Sequence, residues 1–396
     1  MQAPIYLDNN ATTRTDPRVL AEMLPYFSEV YGNAASRQHS FGQAAEQAVS
    51  RAREQVAELL GCRPVEIVFT SGATESNNLA LKGVAAAHAN QGRHIITTAI
   101  EHPAVLDPCR RLEREGFRLT VLPVDRFGKV SVEQVAAALT EDTILVSVMA
   151  ANNEIGTLEP IGELGRLCKQ HGVLFHTDAV QAVGKVPIDV EALGVDLLSV
   201  SAHKMYGPKG VGALYVRRRE PRVRLEPLID GGGHERGLRS GTINVPGVVG
   251  LGAAAALCQA EMTDEARRLT ALRERLREGI MSRLPDTVLN GHPTDRLPAN
   301  LNLAFPYIHS DALLLALRRL ALSSGSACTS AEPGSSHVLR AIGLADDLAQ
   351  GSLRFGLGRF TTEEEIGFAI GEVVREVERL RALSPEYELA RSVRKQ

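Results

Sequence analysis

Lys204 and Asp178 are the two side chains of this 396-residue chain whose type and setting point most directly to chemistry. Lys204 closes the run Ser201-Ala202-His203-Lys204, directly after the apolar stretch 196–200, and Asp178 follows a second apolar stretch, 173–175. In an open α/β sheet ligands lie beyond the carboxyl ends of the strands, so an acid and an amine that each end a strand can converge on one ligand. A lysine can form a Schiff base with an aldehyde, and a carboxylate can hold a proton on a pyridine nitrogen. Pyridoxal phosphate needs both groups. Taken alone, the four residues read more simply as a solvated lysine in a polar turn.

Other runs supply partners for that pair. Thr70-Ser71-Gly72-Ala73-Thr74-Glu75-Ser76 follows the strand-like stretch 66–69 and opens a helical pattern, so backbone N–H groups and hydroxyls gather where the helix dipole favours a phosphate. The plainer reading is a helix capped by Ser or Thr. Glu101-His102-Pro103-Ala104 closes another strand-like run, and His102 there can stack on a flat cofactor and move protons, or can simply cap a helix. Asn152-Asn153-Glu154-Ile155-Gly156 and His176-Thr177-Asp178-Ala179-Val180-Gln181 occupy equivalent places. Ser323-Ser324-Gly325-Ser326-Ala327-Cys328-Thr329-Ser330 sets a cysteine among small polar residues, a setting that suits an exposed reactive thiol or an inert surface cysteine. Arg354, in a strand-like run, is a candidate for a two-pronged grip on a carboxylate or a surface ion pair. Gly231-Gly232-Gly233-His234-Glu235-Arg236-Gly237 lacks the strand and helix context of a nucleotide loop.

The elements that must position these groups alternate. Strand-like runs at 67–70, 94–98, 119–124, 143–149, 173–176 and 196–201 are separated by helical patterns, which predicts parallel βαβ units. Val49, Ala52, Val56, Leu59 and Leu60 recur at helical spacing before Gly61 supplies a stop, and 212–216 returns soon enough to be antiparallel. A helix over 248–283 leads into a smaller α+β grouping, with strands near 301–305 and 353–357 and helices near 311–320 and 363–383. The expected division is a large domain, 14–261, with a mixed, mostly parallel sheet, and a small domain made of 1–13 and 262–396 that carries the Cys328 loop.

Composition narrows the partners. There are 44 basic and 47 acidic residues, so the near-neutral balance predicts neither a nucleic-acid nor a membrane partner. The longest apolar stretch, 245–257, is broken by Pro246, Gly247, Gly250 and Gly252, and the N-terminal residues lack a basic region followed by an apolar core. The expectation is a soluble cytoplasmic protein. Cys62, Cys109, Cys168, Cys258 and Cys328 are odd in number and include no Cys-x-x-Cys pair, which argues for reduced thiols and against a disulfide framework or a stable metal site.

Together these runs resemble the NifS/IscS family of cysteine desulfurases, in the subgroup with the Ser-Ser-Gly-Ser-Ala-Cys-Thr-Ser loop. The resemblance extends from Tyr6-Leu7-Asp8-Asn9-Asn10-Ala11-Thr12-Thr13 to Leu357-Gly358-Arg359-Phe360-Thr361-Thr362 and beyond. It implies the fold type I architecture of pyridoxal phosphate-dependent transferases, a homodimer, and conversion of L-cysteine to L-alanine with the sulfur left as a persulfide on Cys328. It also implies that Lys204 holds the cofactor, Asp178 pairs with the ring nitrogen, Gln181 contacts the phenolic oxygen and His102 stacks on the ring. By the same resemblance Ala73, Thr74, Ser201 and His203 contact the phosphate, Thr242 reaches it from the other subunit, and Asn153 and Arg354 hold the substrate carboxylate. The sulfur would pass to an IscU- or NifU-like iron–sulfur scaffold or another acceptor, with Cys328 as a transient iron–sulfur ligand. Ala34, Ala202 and the 331–337 segment depart from the usual pattern. The competing readings are a selenocysteine lyase or another enzyme of the same cofactor, and a non-catalytic adaptor that keeps the fold.

Overall fold

The computed structural model describes residues 4–219, 222–324 and 336–393. Its larger sheet has seven strands in the order Ile67–Thr70, Gly212–Val216, Leu197–Ser201, Leu174–Asp178, Thr143–Ser147, His94–Thr98 and Arg118–Leu122. Gly212–Val216 runs antiparallel to both its neighbours, and every other pairing is parallel. Six strands therefore end on the same edge. Side chains alternate across the sheet, as period-two geometry requires. Val68, Ile95, Leu145 and Leu214 pack on one face with the helices Ala73–His88 and Pro103–Arg114, and Phe69, Ile96, Val146 and Phe175 lie on the other with Ser40–Leu60 and Ile161–His171. A sheet covered on both faces explains strands that read as continuous apolar runs.

The helix Ser40–Leu60 stops where the sequence predicts, because Gly61 adopts φ 68°, a left-handed conformation that costs glycine little. It lies against Val245–Met281 so closely that a side-chain carbon on Gly252 would come within 2.5 Å of the Ala52 Cα. That 37-residue helix joins two cores: Val248, Leu251 and Ala255 belong to the core beneath the large sheet, and Leu269, Leu272, Leu276 and Ile280 to a second one. By length and composition it could span a membrane, but 56% of its most apolar window is buried in the protein.

The second core is built on an antiparallel sheet in the order Ser323–Ser324, Ser352–Gly356, Asn300–Ala304, Val288–Asn290, packed by the helix Glu363–Arg381. A capping box between Thr362 and Glu365 starts that helix. The helix expected at 311–320 is shorter, Ser310–Ala316, and Leu320–Ala321 instead forms a strand parallel to Ile5–Tyr6. Hydrogen bonds from Ile5 N to Arg319 O and from Leu7 N to Ala321 O explain the change: a partner more than 300 residues away overrides the local helical pattern. The remaining boundaries fall within three residues of expectation.

Candidate active site

The carboxyl edge of the large sheet opens into a cavity of about 520 Å³ whose lining includes Ala73, Thr74, His102, Asn153, Asp178, Gln181, Ser201, His203 and Lys204. Nine of the predicted positions thus meet in one place. Two further cavities, about 420 and 920 Å³, are lined by other residues around the opposite edge.

Strand pairing sets the central juxtaposition. Asp178 ends its strand in register with Ser199 of the neighbouring strand, which continues to Ser201 and, after one 3₁₀ turn, to Lys204. The Asp178 carboxylate is buried and accepts hydrogen bonds from Asn77 Nδ2 at 2.7 Å and Val180 N at 3.1 Å. Lys204 Nζ donates to the backbone carbonyls of Asn10 (2.5 Å) and Ala11 (2.6 Å). Those carbonyls belong to an N-terminal segment stitched across the sheet edge, where Thr13 N donates to His203 O and Gln181 Nε2 donates to Asn10 O at 3.0 Å.

Two histidines are held neutral. His102 caps the helix Pro103–Arg114 through Nδ1, which accepts from Ala104 N at 3.1 Å and so puts the ring proton on Nε2. Burial pushes its pKa down, Asp178 opposes that shift, and Lys204 and His337 reinforce it. His203, bonded through Nδ1 to Thr12 Oγ1, is lowered to about 4 by burial and then by Lys204 and Lys209.

The helix that opens the phosphate cradle has Gly72 as its first flanking residue, at φ 149°, with no side-chain cap. The Ser/Thr-capped reading is therefore wrong. Thr70 Oγ1 instead lies 2.8 Å from Ser76 Oγ, and Glu75 turns back to accept from Ser71 N (2.8 Å) and Arg239 Nε (2.9 Å). The start of a helix with no side-chain cap is an anion site when it faces a cavity. Lys209 and Gly210 complete the rim there.

Arg354 is buried beside the cavity and is not among its lining residues: it donates to Asp8 Oδ1 at 2.9 Å and to Asn153 O at 3.1 Å, and its Nε has no partner among the described residues. Thr242 is exposed and does not line the cavity of its own chain. Cys328 lies outside the described residues, as does the rest of 325–335. Among the described residues no group of three or more His, Cys, Asp or Glu side chains could hold a metal ion.

Sequence reasoning missed Asn77, Asn10 and Lys209. Asn77 was legible in principle, because it falls one helical turn after Ala73, on the face of an apolar helix that must be buried. Asn10 carried no local signal for its contact with Gln181.

Comparison with known proteins agrees with this geometry. Residues 5–368 match the family model for aminotransferase class-V. The cysteine desulfurase IscS of Anaeromyxobacter dehalogenans (strain 2CP-C) is 57% identical over 391 residues, covering 99% of this chain and 96% of that one. A solved NifS-like protein superposes with a TM-score of 0.88 at 42% identity, covering 95% of this chain and 99% of the other, and SspA in complex with cysteine does so with 0.81 at 38%, covering 90% and 100%. This chain belongs to the class-V aminotransferase family, within its cysteine desulfurases.

Proposed function

We infer that the chain uses pyridoxal phosphate to take sulfur from L-cysteine, releasing L-alanine and leaving a persulfide on Cys328. The observation that carries this reading is Lys204 and Asp178 lining one cavity from adjacent strand ends. The residues present fit the cofactor part by part: a lysine for its aldehyde, a buried carboxylate for its ring nitrogen, and a helix start without a side-chain cap, joined by Thr74, Ser201 and neutral His203, for its phosphate. Bound there, pyridoxal phosphate supplies an electron sink that acidifies the substrate α-carbon and weakens the bond to sulfur.

The chain's own residues do the rest. Asp178, pinned by Asn77 and Val180 N, keeps the ring nitrogen protonated. Lys204 takes the α-proton, and the carbonyls of Asn10 and Ala11 hold its Nζ in reach. His102, with Nδ1 committed to its helix, offers Nε2–H to the substrate side. Asn153 and Arg354 hold the substrate carboxylate, for which Arg354 exchanges part of its bond to Asp8. The Cys328 thiolate attacks the substrate sulfur; the S–S bond forms as the C–S bond breaks, the electron pair stays with the β-carbon, and a proton added there together with return of the α-proton from Lys204 completes alanine.

The reading extends to a cytoplasmic homodimer in which Thr242 serves the partner's phosphate site. Exposed Tyr31 and Phe41, whose ring centroids lie 5.4 Å apart, support such an interface. A large domain, 14–261, would bear the cofactor and a small one, 1–13 with 262–396, the cysteine loop; the two cores joined by Val245–Met281 support that division. An iron–sulfur scaffold protein of the IscU or NifU kind is the proposed sulfur acceptor. Borohydride reduction and peptide mapping test the centre of this reading: the pyridoxyl group belongs on Lys204, and a label on any other lysine refutes it.

A further inference from the structure

Lys185 is a second lysine close to the cofactor cavity, and no step above uses it. It lies one turn after Gln181, and its Nζ donates to Gln181 Oε1 at 3.0 Å. Asn10 Nδ2 donates to the same oxygen at 3.2 Å. The other end of that amide, Gln181 Nε2, donates to Asn10 O, the carbonyl that also accepts from Lys204 Nζ. An amide can turn end over end at little steric cost, so its polarity is set by its neighbours. Here the turned form would set the Gln181 NH₂ against an ammonium and a second NH₂, donor against donor. Lys185 and Asn10 therefore hold Gln181 with its acceptor end away from Lys204 and its donor end towards it.

The lysine is expensive to keep there. No ion pair of Lys185 exists among the described residues, and nearby Glu265 is engaged by Arg359 at 2.7 Å. Burial first and Lys204 next push the Lys185 pKa down to about 7, Cys258 and Glu265 oppose that shift, and Arg354 adds the least to it. An uncompensated, part-buried ammonium is a stability cost that a methionine of similar length would avoid.

We propose that Lys185 is a positioning residue of the cofactor site: by holding the Gln181 carbonyl it keeps the Gln181 NH₂ turned to the Lys204 side, where that NH₂ donates to the phenolic oxygen of the cofactor. The inference rests on the pyridoxal phosphate reading above. A fixed donor on that oxygen, reinforced by the Lys185 charge at pH values where Lys185 is protonated, lowers the proton affinity of the nitrogen that Lys204 contributes.

The test is a pH titration of the visible absorbance of the reconstituted holoenzyme, which needs no turnover. Lys185→Met moves the midpoint up by about half to one pH unit, Lys185→Arg keeps it, and Lys185→Gln, which retains a donor without the charge, falls between. Gln181→Leu moves the midpoint the same way, and adding Lys185→Met to it changes little more. A normally absorbing wild type whose midpoint is shared by Lys185→Met and Lys185→Gln overturns this inference alone, as does a Lys185→Met effect that adds in full to Gln181→Leu. A wild type that gains no visible absorbance with pyridoxal phosphate overturns the cofactor reading and this inference with it.

Discussion

Replacing Glu154 by glutamine should make the protein progressively more stable than wild type as pH rises. Glu154 is 5% exposed, and its Oε2 accepts a 2.5 Å hydrogen bond from Ser336 Oγ, the hydroxyl that also caps the helix His337–Ala341. No ion pair offsets its charge among the described residues. Burial raises its pKa to about 7, with the Ser336 bond and the charge of Arg354 opposing the rise. A carboxyl raised on folding contributes stability that is fully present below its unfolded value of 4.5 and is lost as pH climbs through 7. At about 1.4 kcal/mol per pH unit the loss amounts to about 3 kcal/mol. Unfolding 396 residues at about 2.1 cal/mol/K each turns that into a shift of about 4 °C. Glutamine keeps the shape and cannot ionise, so the Tm of Glu154→Gln minus that of wild type should grow by about 3 °C between pH 5 and pH 8, about a quarter of the loss being complete by pH 5. Differential scanning calorimetry in matched buffers measures it, and the subtraction cancels other raised carboxyls such as Glu159, which burial lifts to about 8. A difference constant to within about 1 °C across that range would refute the reasoning.

Asp178→Asn should fold normally yet hold the cofactor about 10- to 100-fold more weakly, since a charge-assisted bond to the ring nitrogen becomes a neutral one; equilibrium dialysis against pyridoxal phosphate checks this, and unchanged affinity would contradict the assigned role. Cys328→Ala should still bind cofactor and change its spectrum with L-cysteine, while alanine release falls by at least about 100-fold; release at the wild-type rate would point to a lyase in which sulfide leaves without a protein nucleophile. Sedimentation at micromolar concentration should give two chains, and a stable, fully active monomer would remove Thr242 from the site. Gly61→Ala should cost about 1 kcal/mol, read by the same calorimetry, because alanine at φ 68° is strained and its Cβ would sit 2.9 Å from the Asp189 carboxylate carbon.

Much of this site was legible in the sequence because its residues share one local rule. Lys204, Asp178, His102 and Asn153 each follow a short apolar run, and a parallel sheet delivers all such ends to one edge, so type and local setting suffice to nominate them. The turn at Gly61 and the alternating strands were local in the same way. What tertiary structure alone decided depends on contacts between residues far apart in the chain. The return of Gly212–Val216 between Ile67–Thr70 and Leu197–Ser201 sets the strand order. The register of Asp178 with Ser199 brings acid and lysine to the same cavity. The N-terminal segment turned Leu320–Ala321 from helix to strand, and through Asn10 it ties Gln181 to Lys204 across separations of 171 and 194 residues. Sequence patterns report backbone preference over a few residues, whereas these pairings are selected by the total burial and hydrogen bonding of the packed chain, to which no single stretch gives access.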